Sequence, residues 1–185
     1  MSRDPVAGSV LVASPVLQDP NFDRTVVLVL AYGDDGALGL VLNRPSETEL
    51  GEPLPQWGDQ AAEPPVVFVG GPVARTSAIC LARCPESAAG DGWQPLFGPL
   101  GTLDLGLDPE DVPVPIDRLR VFAGYAGWGA GQLDSEIAAG AWFVVAADAE
   151  DALSSDPAGL WRRILARQTG ALAALANFPL DLAVN

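Results

Sequence analysis

Four glycines fall within the eight residues 124–131 (GYAGWGAG), between an apolar run and a short amphipathic segment. Glycine loses more conformational freedom on folding than any other residue, so this density signals special backbone angles or a very close approach. Two readings of residues 120–142 (RVFAGYAGWGAGQLDSEIAAGAW) stay open. In one, a strand over residues 119–123 turns tightly into a helix over about 131–139, with Tyr125 and Trp128 as packing anchors. In the other, the segment lines a groove and offers helix N–H groups to an anion. Asp134 and Glu136 stand in the helix's first turns and complement its dipole themselves. The Gly129–Gly131 spacing runs on to Asp134 instead of a third glycine, so the dinucleotide fingerprint fails.

The chain contains no histidine and no lysine. That removes Ser-His-Asp and Cys-His catalysis, Schiff-base chemistry and the Walker phosphate loop. Two cysteines alone do not make a zinc site. Any enzyme built on this chain would use carboxylates, Tyr, Cys, Ser or Thr, or a metal held by oxygen ligands. Ten arginines against 24 acids give a net charge of −14, which repels phosphate backbones and anionic membranes. The 185 residues, 49% of them hydrophobic, suit one domain spanning 1–185 with a substantial core. No apolar run approaches the roughly 20 residues that span a bilayer, and the N-terminus makes a weak signal peptide. The expected location is the cytoplasm.

Strand signals gather early and helix signals late, which predicts an α+β fold and not a doubly wound parallel sheet. Short β-branched runs at residues 10–13 and 25–30 read as buried strands. Turn chemistry at 32–36 followed by an apolar run at 37–42 predicts a hairpin. Pro45 is expected to end that second strand, because proline has no N–H for a ladder. Residues 46–65 read as loop with a short helix near Leu50. Strands are expected over 66–69, 76–82, 102–105, 119–123 and 142–146. Residues 84–100 are turn-rich and expected to be the mobile region. In 158–168, Leu160, Trp161, Ile164 and Leu165 form an apolar helix stripe, started by Asp156-Pro157 and stopped near Gly170. Arg162, Arg163 and Arg167 read as its wet face.

Two further motifs, Asn43-Arg44-Pro45 and Gly70-Gly71-Pro72, each close an apolar run. They read as turns, or as the rim of a ligand groove. The groove candidates are therefore Asn43, Arg44, Gly70, Gly71, Tyr125, Trp128, Gln132 and Glu136. Asp108, Glu110 and Asp111 lack the calcium-loop pattern and read as a solvated acidic connector. If residues 76–82 are extended, Cys80 and Cys84 lie roughly 13 Å apart, too far for a disulfide. Cys80 is expected to be a buried small hydrophobe.

GSVLVASPVLQDPNFDRTVVLVL, GALGLVLNRPS, VFVGGPV and GYAGWGAGQLDSEIAAGAW, followed by Trp161 and the terminal Asn185, resemble the AlgH/YqgE family in order and spacing. The resemblance covers nearly the whole chain. It implies a branched, mostly antiparallel β-sheet curled into a pseudo-barrel with flanking helices. Many family members carry a histidine just after the strand that here reads ICLAR, so no role for it transfers to this chain. The resemblance implies neither a cofactor nor a metal, and brings an inherited label of transcriptional regulator. Three readings of function follow. The first is a non-enzymatic binding or regulatory protein with a protein or small-molecule partner. The second is direct transcriptional regulation, which the charge disfavours. The third is a carboxylate- or metal-dependent enzyme drawing on Tyr125, Gln132, Asp134 and Glu136.

Overall fold

A computed structural model describes residues 4–86 and 89–178. Ten strands form one curled sheet: β1 (Ser9–Ala13), β2 (Val26–Gly33), β3 (Gly36–Val41), β4 (Pro45–Glu49), β5 (Val66–Val69), β6 (Val73–Arg83), β7 (Trp93–Phe97), β8 (Leu100–Leu103), β9 (Arg118–Gly129) and β10 (Trp142–Ala146). Four short helices follow late in the chain: α1 (Gln132–Ala138), α2 (Ala149–Ala152), α3 (Leu160–Ala166) and α4 (Ala171–Leu175).

The main path runs β10-β1-β2-β3-β9-β6-β8-β7, and all its pairings are antiparallel. The branch lies on β9. Its C-terminal part, Ala126–Gly129, pairs with β3, while Phe122 and Ala123 pair in parallel with β5, which carries β4. The opposite edge of β9 pairs with β6. The fold is thus α+β with a branched half-barrel, in agreement with the resemblance.

The curl encloses a core of Val10, Val12, Val26, Leu28, Phe68, Leu81 and Phe122, closed by Leu160, Trp161, Ile164 and Leu165 of α3. The Trp161 indole N–H donates to the Ala13 carbonyl over 2.9 Å, pinning α3 on β1. A second cluster on the other face of β1 and β2 joins Leu11, Val27, Trp128, Leu133 and Trp142. Every residue of β1 is therefore buried, which is why SVLVA reads as a continuous apolar run. A third cluster, with Trp57, Cys80, Trp93 and Val121, backs the β6–β8 half.

Four expectations need correction. The glycine segment is not a strand-to-helix turn: β9 continues through Gly124, Gly127 and Gly129, and the chain turns only at Ala130-Gly131. Of its four glycines only Gly124 serves a close approach, against Gly71 on the facing turn. A Cβ on Gly71 would stand 2.1 Å from the Tyr125 carbonyl carbon, and one on Gly124 2.6 Å from the Gly71 carbonyl oxygen. Gly124 also has φ +73°, a left-handed angle that favours glycine. Second, residues 45–49 form β4 where loop was expected; it is a mostly exposed strand paired only with β5. Leu50 lies beyond it, and the short helical turn comes later, at Pro55–Gln60. Third, the turn-rich 84–100 segment contains β7 and the start of β8. Fourth, the arginines of α3 are not simply solvated: Arg167 grips the buried Asp151, and Arg163 pairs with Asp156 at 3.1 Å. Cys80 and Cys84 are both free and buried. Asn185 lies outside the described residues.

Candidate functional site

The two turn motifs meet because β3 and β5 both reach β9. Asn43 staples the first turn onto β2: its Oδ1 accepts from the Val26 N–H at 3.0 Å, and its Nδ2 donates to the Arg24 carbonyl at 2.9 Å. The Val69 N–H donates to the Arg44 carbonyl at 2.8 Å, and the Val41 N–H to the Gly70 carbonyl at 2.8 Å. The Gly70 N–H in turn donates to the Ala123 carbonyl at 2.9 Å. Gly71 then lies against the Tyr125–Ala126 backbone, where a side chain has no room.

Between these turns lies a cleft of about 240 Å³. Pro20, Pro45 and Pro72 wall it, Val41 and Val69 line it, and Arg44 and Arg75 stand at it. Three prolines fix backbone angles, so the cleft is largely preformed. No acidic side chain lines it. The Arg44 guanidinium donates to the Asp23 carbonyl at 2.6 Å, which orients it without neutralising it. Among the described residues neither Arg44 nor Arg75 forms a salt bridge. In a chain of charge −14, two arginines at one cleft with no acid in its lining stand out.

A larger cavity of about 590 Å³ lies beside α2 and α3, and each arginine that lines it is already paired with a carboxylate, while acids outnumber arginines in its lining. Arg118 and Arg83 both reach Glu150, at 2.8 and 2.9 Å, and Arg83 also holds Asp117. The Arg118 hydrogen bonds hold the Glu150 carboxyl below its usual range, and those from Arg83 do the same for Asp117. Beneath this cavity Arg120, 2% exposed, donates to the carbonyls of Ala152, Ser154 and Glu63. Its guanidinium lies 4.1 Å from the Phe68 ring centroid. Burial pushes its pKa down to about 10.

The candidate residues thus separate into two places. Arg44 and Gly71 line the cleft, while Asn43, Gly70 and the Tyr125 backbone lie outside its lining and hold or abut its turns. Trp128, Gln132 and Glu136 form a separate, internally bonded cluster. The Gln132 Oε1 accepts from the Gly129 N–H at 3.0 Å, and its Nε2 donates to Glu136 at 3.0 Å. Trp128 stacks with Phe22, their centroids 6.2 Å apart. Asp134 accepts from the Tyr32 hydroxyl at 2.7 Å, a bond that raises the Tyr32 pKa. No group of three or more Asp, Glu or Cys side chains among the described residues is placed to hold a metal ion. Sequence reasoning missed Arg75. It lies in the exposed first half of β6, beside a bulge where Ala74 takes a left-handed φ of +47°.

The curled, branched half-barrel, mostly antiparallel and with few helices, places the chain among the α+β proteins. The family model described as AlgH-like matches residues 10–173, and the chain belongs to this family. It is 47% identical over 184 residues to a UPF0301 protein of Streptomyces coelicolor, covering 97% of this chain and 95% of that relative. It is 45% identical to a UPF0301 protein of Thermobifida fusca, covering 100% and 98%. Two solved structures resemble it at 28% identity. A Corynebacterium diphtheriae protein has a TM-score of 0.89, covering 96% of this chain and 95% of that one. The AlgH protein of Pseudomonas aeruginosa has a TM-score of 0.68, covering 97% of each.

Proposed function

We propose that this chain is a non-catalytic, cytoplasmic binding protein whose cleft between the NRP and GGP turns receives an anionic group on its partner. The observation that carries the reading is the pair Arg44 and Arg75 at a proline-walled, acid-free cleft. A guanidinium offers a planar fork of donors that suits carboxylate and phosphate, and it stays charged at any working pH. Two arginines at one cleft of a chain that is negative overall would admit an anionic group there while discouraging an extended polyanion. Direct DNA regulation is therefore the weaker reading.

Chemical-shift titration with inorganic phosphate and with acetate tests the proposal. Saturable shifts clustered at residues 41–45 and 69–75 are expected, with a loss of at least about tenfold in affinity in Arg44→Gln and Arg75→Gln. Shifts that survive both substitutions would overturn it. Duplex DNA binding that persists at about 0.15 M salt would favour the regulatory reading instead.

A further inference from the structure

The cationic cleft adjoins a second cavity, of about 530 Å³, at Val69, which lines both. The two also meet along the chain, where Pro45 lines the cleft and the next residue, Ser46, lines the second cavity. This second cavity is an apolar groove. Strand alternation presents Val67 and Val69 of β5, and Val121 and Ala123 of β9, on one face of the sheet. Thr48 of β4 and Ala78 of β6 complete that face. No charged side chain lines it. Ala78 is exposed and Val67, Val69 and Ala123 are half-buried, so this face is only partly covered.

Resting on the reading of Arg44 and Arg75 as anion receivers, we propose that cleft and groove form one site for an anionic amphiphile. The carboxylate or phosphate head sits between the two arginines. Its unbranched apolar chain passes over Val69 onto the β4–β5–β9–β6 face. Three features select this occupant. The cleft's 240 Å³ suits a head group and little more, and the groove's 530 Å³ is the size of a small-molecule site. The arginines stand at one end only, so charge complementarity fixes which way round the ligand lies. Four adjacent strands span roughly 14 Å, the extended length of about a dozen carbons.

The test is isothermal titration of the full chain with straight-chain carboxylates from butanoate to dodecanoate, kept below micelle-forming concentrations. Alkyl phosphates and 1-alkanols of matched length run beside them. In the wild type, affinity is expected to rise about two- to fourfold per added methylene until the groove is filled. Alkanols should bind at least about tenfold more weakly than the matched anions. Arg75→Gln, at an exposed position, should weaken every anion. Ala78→Glu, also at an exposed position, should abolish the chain-length gain. Either head group binding in this pattern supports the proposal, and the tighter one identifies the source.

A flat chain-length series with short anions still bound overturns the amphiphile and leaves the anion cleft standing. Alkanols binding as tightly as the anions, or a chain-length gain unchanged in Arg44→Gln/Arg75→Gln, overturns both readings. So does the absence of binding across the whole series. Concentration-dependent self-association that Ala78→Glu abolishes, with no alkanoate binding, would assign the groove to a second copy of the chain and overturn the proposal.

Discussion

Trp128 and Trp142 share one hydrogen-bond acceptor: both indole N–H groups donate to the same oxygen of the Glu136 carboxylate, at 2.9 and 2.8 Å. Their rings meet edge to face, with centroids 6.0 Å apart. One side chain of α1 therefore ties the end of β9 to β10. Removing it strands two buried donors. Glu136→Ala is expected to cost about 2–4 kcal/mol in urea unfolding, and Glu136→Gln about half as much, because its amide oxygen can still accept. A loss under 0.5 kcal/mol in the alanine variant would show that the tie carries no stability.

The glycines at the branch point make a sharper prediction. Gly71→Ala and Gly124→Ala each push a methyl group into backbone atoms of the neighbouring strand. Backbone cannot step aside as a side chain can. Each substitution should cost about 3 kcal/mol or more, or prevent folding. Gly131→Ala is the control. A Cβ there has nothing within 4 Å, and only its φ of +68° is unfavourable. It should cost about 1–2 kcal/mol. Equal losses at all three positions, by circular dichroism and urea unfolding, would refute the close-approach account.

Arg120 is buried and holds three backbone carbonyls, those of Ala152, Ser154 and Glu63. Arg120→Ala should destabilise by about 3–5 kcal/mol, since it combines lost hydrogen bonds with a cavity beside Phe68. Arg120→Lys keeps the charge but not the fork. It should recover less than half of that loss. Full recovery by lysine would mean that charge alone matters at this position.

The ion-pair network over β6 and α2 gives the acid behaviour its sign. Asp117 and Glu150 have folded-state pKa values below their ordinary 3.8 and 4.5. The unfolded chain therefore binds more protons in that range. Their contribution is complete above pH 4.5 and is lost as pH falls through the depressed values. These groups are largely exposed, so each pair is worth about 1 kcal/mol or less and fades with salt. In Arg83→Gln/Arg118→Gln, the fall in stability between pH 5 and pH 3 should be shallower than in the wild type. An identical slope in low salt would locate the acid sensitivity elsewhere.

Much of the architecture was legible because buried strands announce themselves. The runs at residues 10–13, 26–30 and 66–69 are apolar without interruption, and each is a strand. β4 was not legible. Its PSETE sequence is polar, and the strand exists because β5 offers it an edge. The glycine segment misled for a related reason. Glycine weakens a strand considered alone, yet β9 runs on through three of them, and at Gly124 the facing backbone stands so close that a side chain would collide. Asn43-Arg44-Pro45 and Gly70-Gly71-Pro72 could be singled out as turns, but their convergence depends on both preceding strands reaching β9. Arg75 carried no local signal. What distinguishes it from Arg83 or Arg163 is that it forms no salt bridge among the described residues, a property of the folded surface.

The branch on β9 also sets an order of events during synthesis. β3, β5 and β6 all await a strand that begins at Arg118, so none can complete its pairing while a ribosome has delivered only the first two-thirds of the chain. Contacts so distant in sequence make for slow folding. Until Gly129 emerges, the edges of the early strands that β9 will cover stand open to other chains.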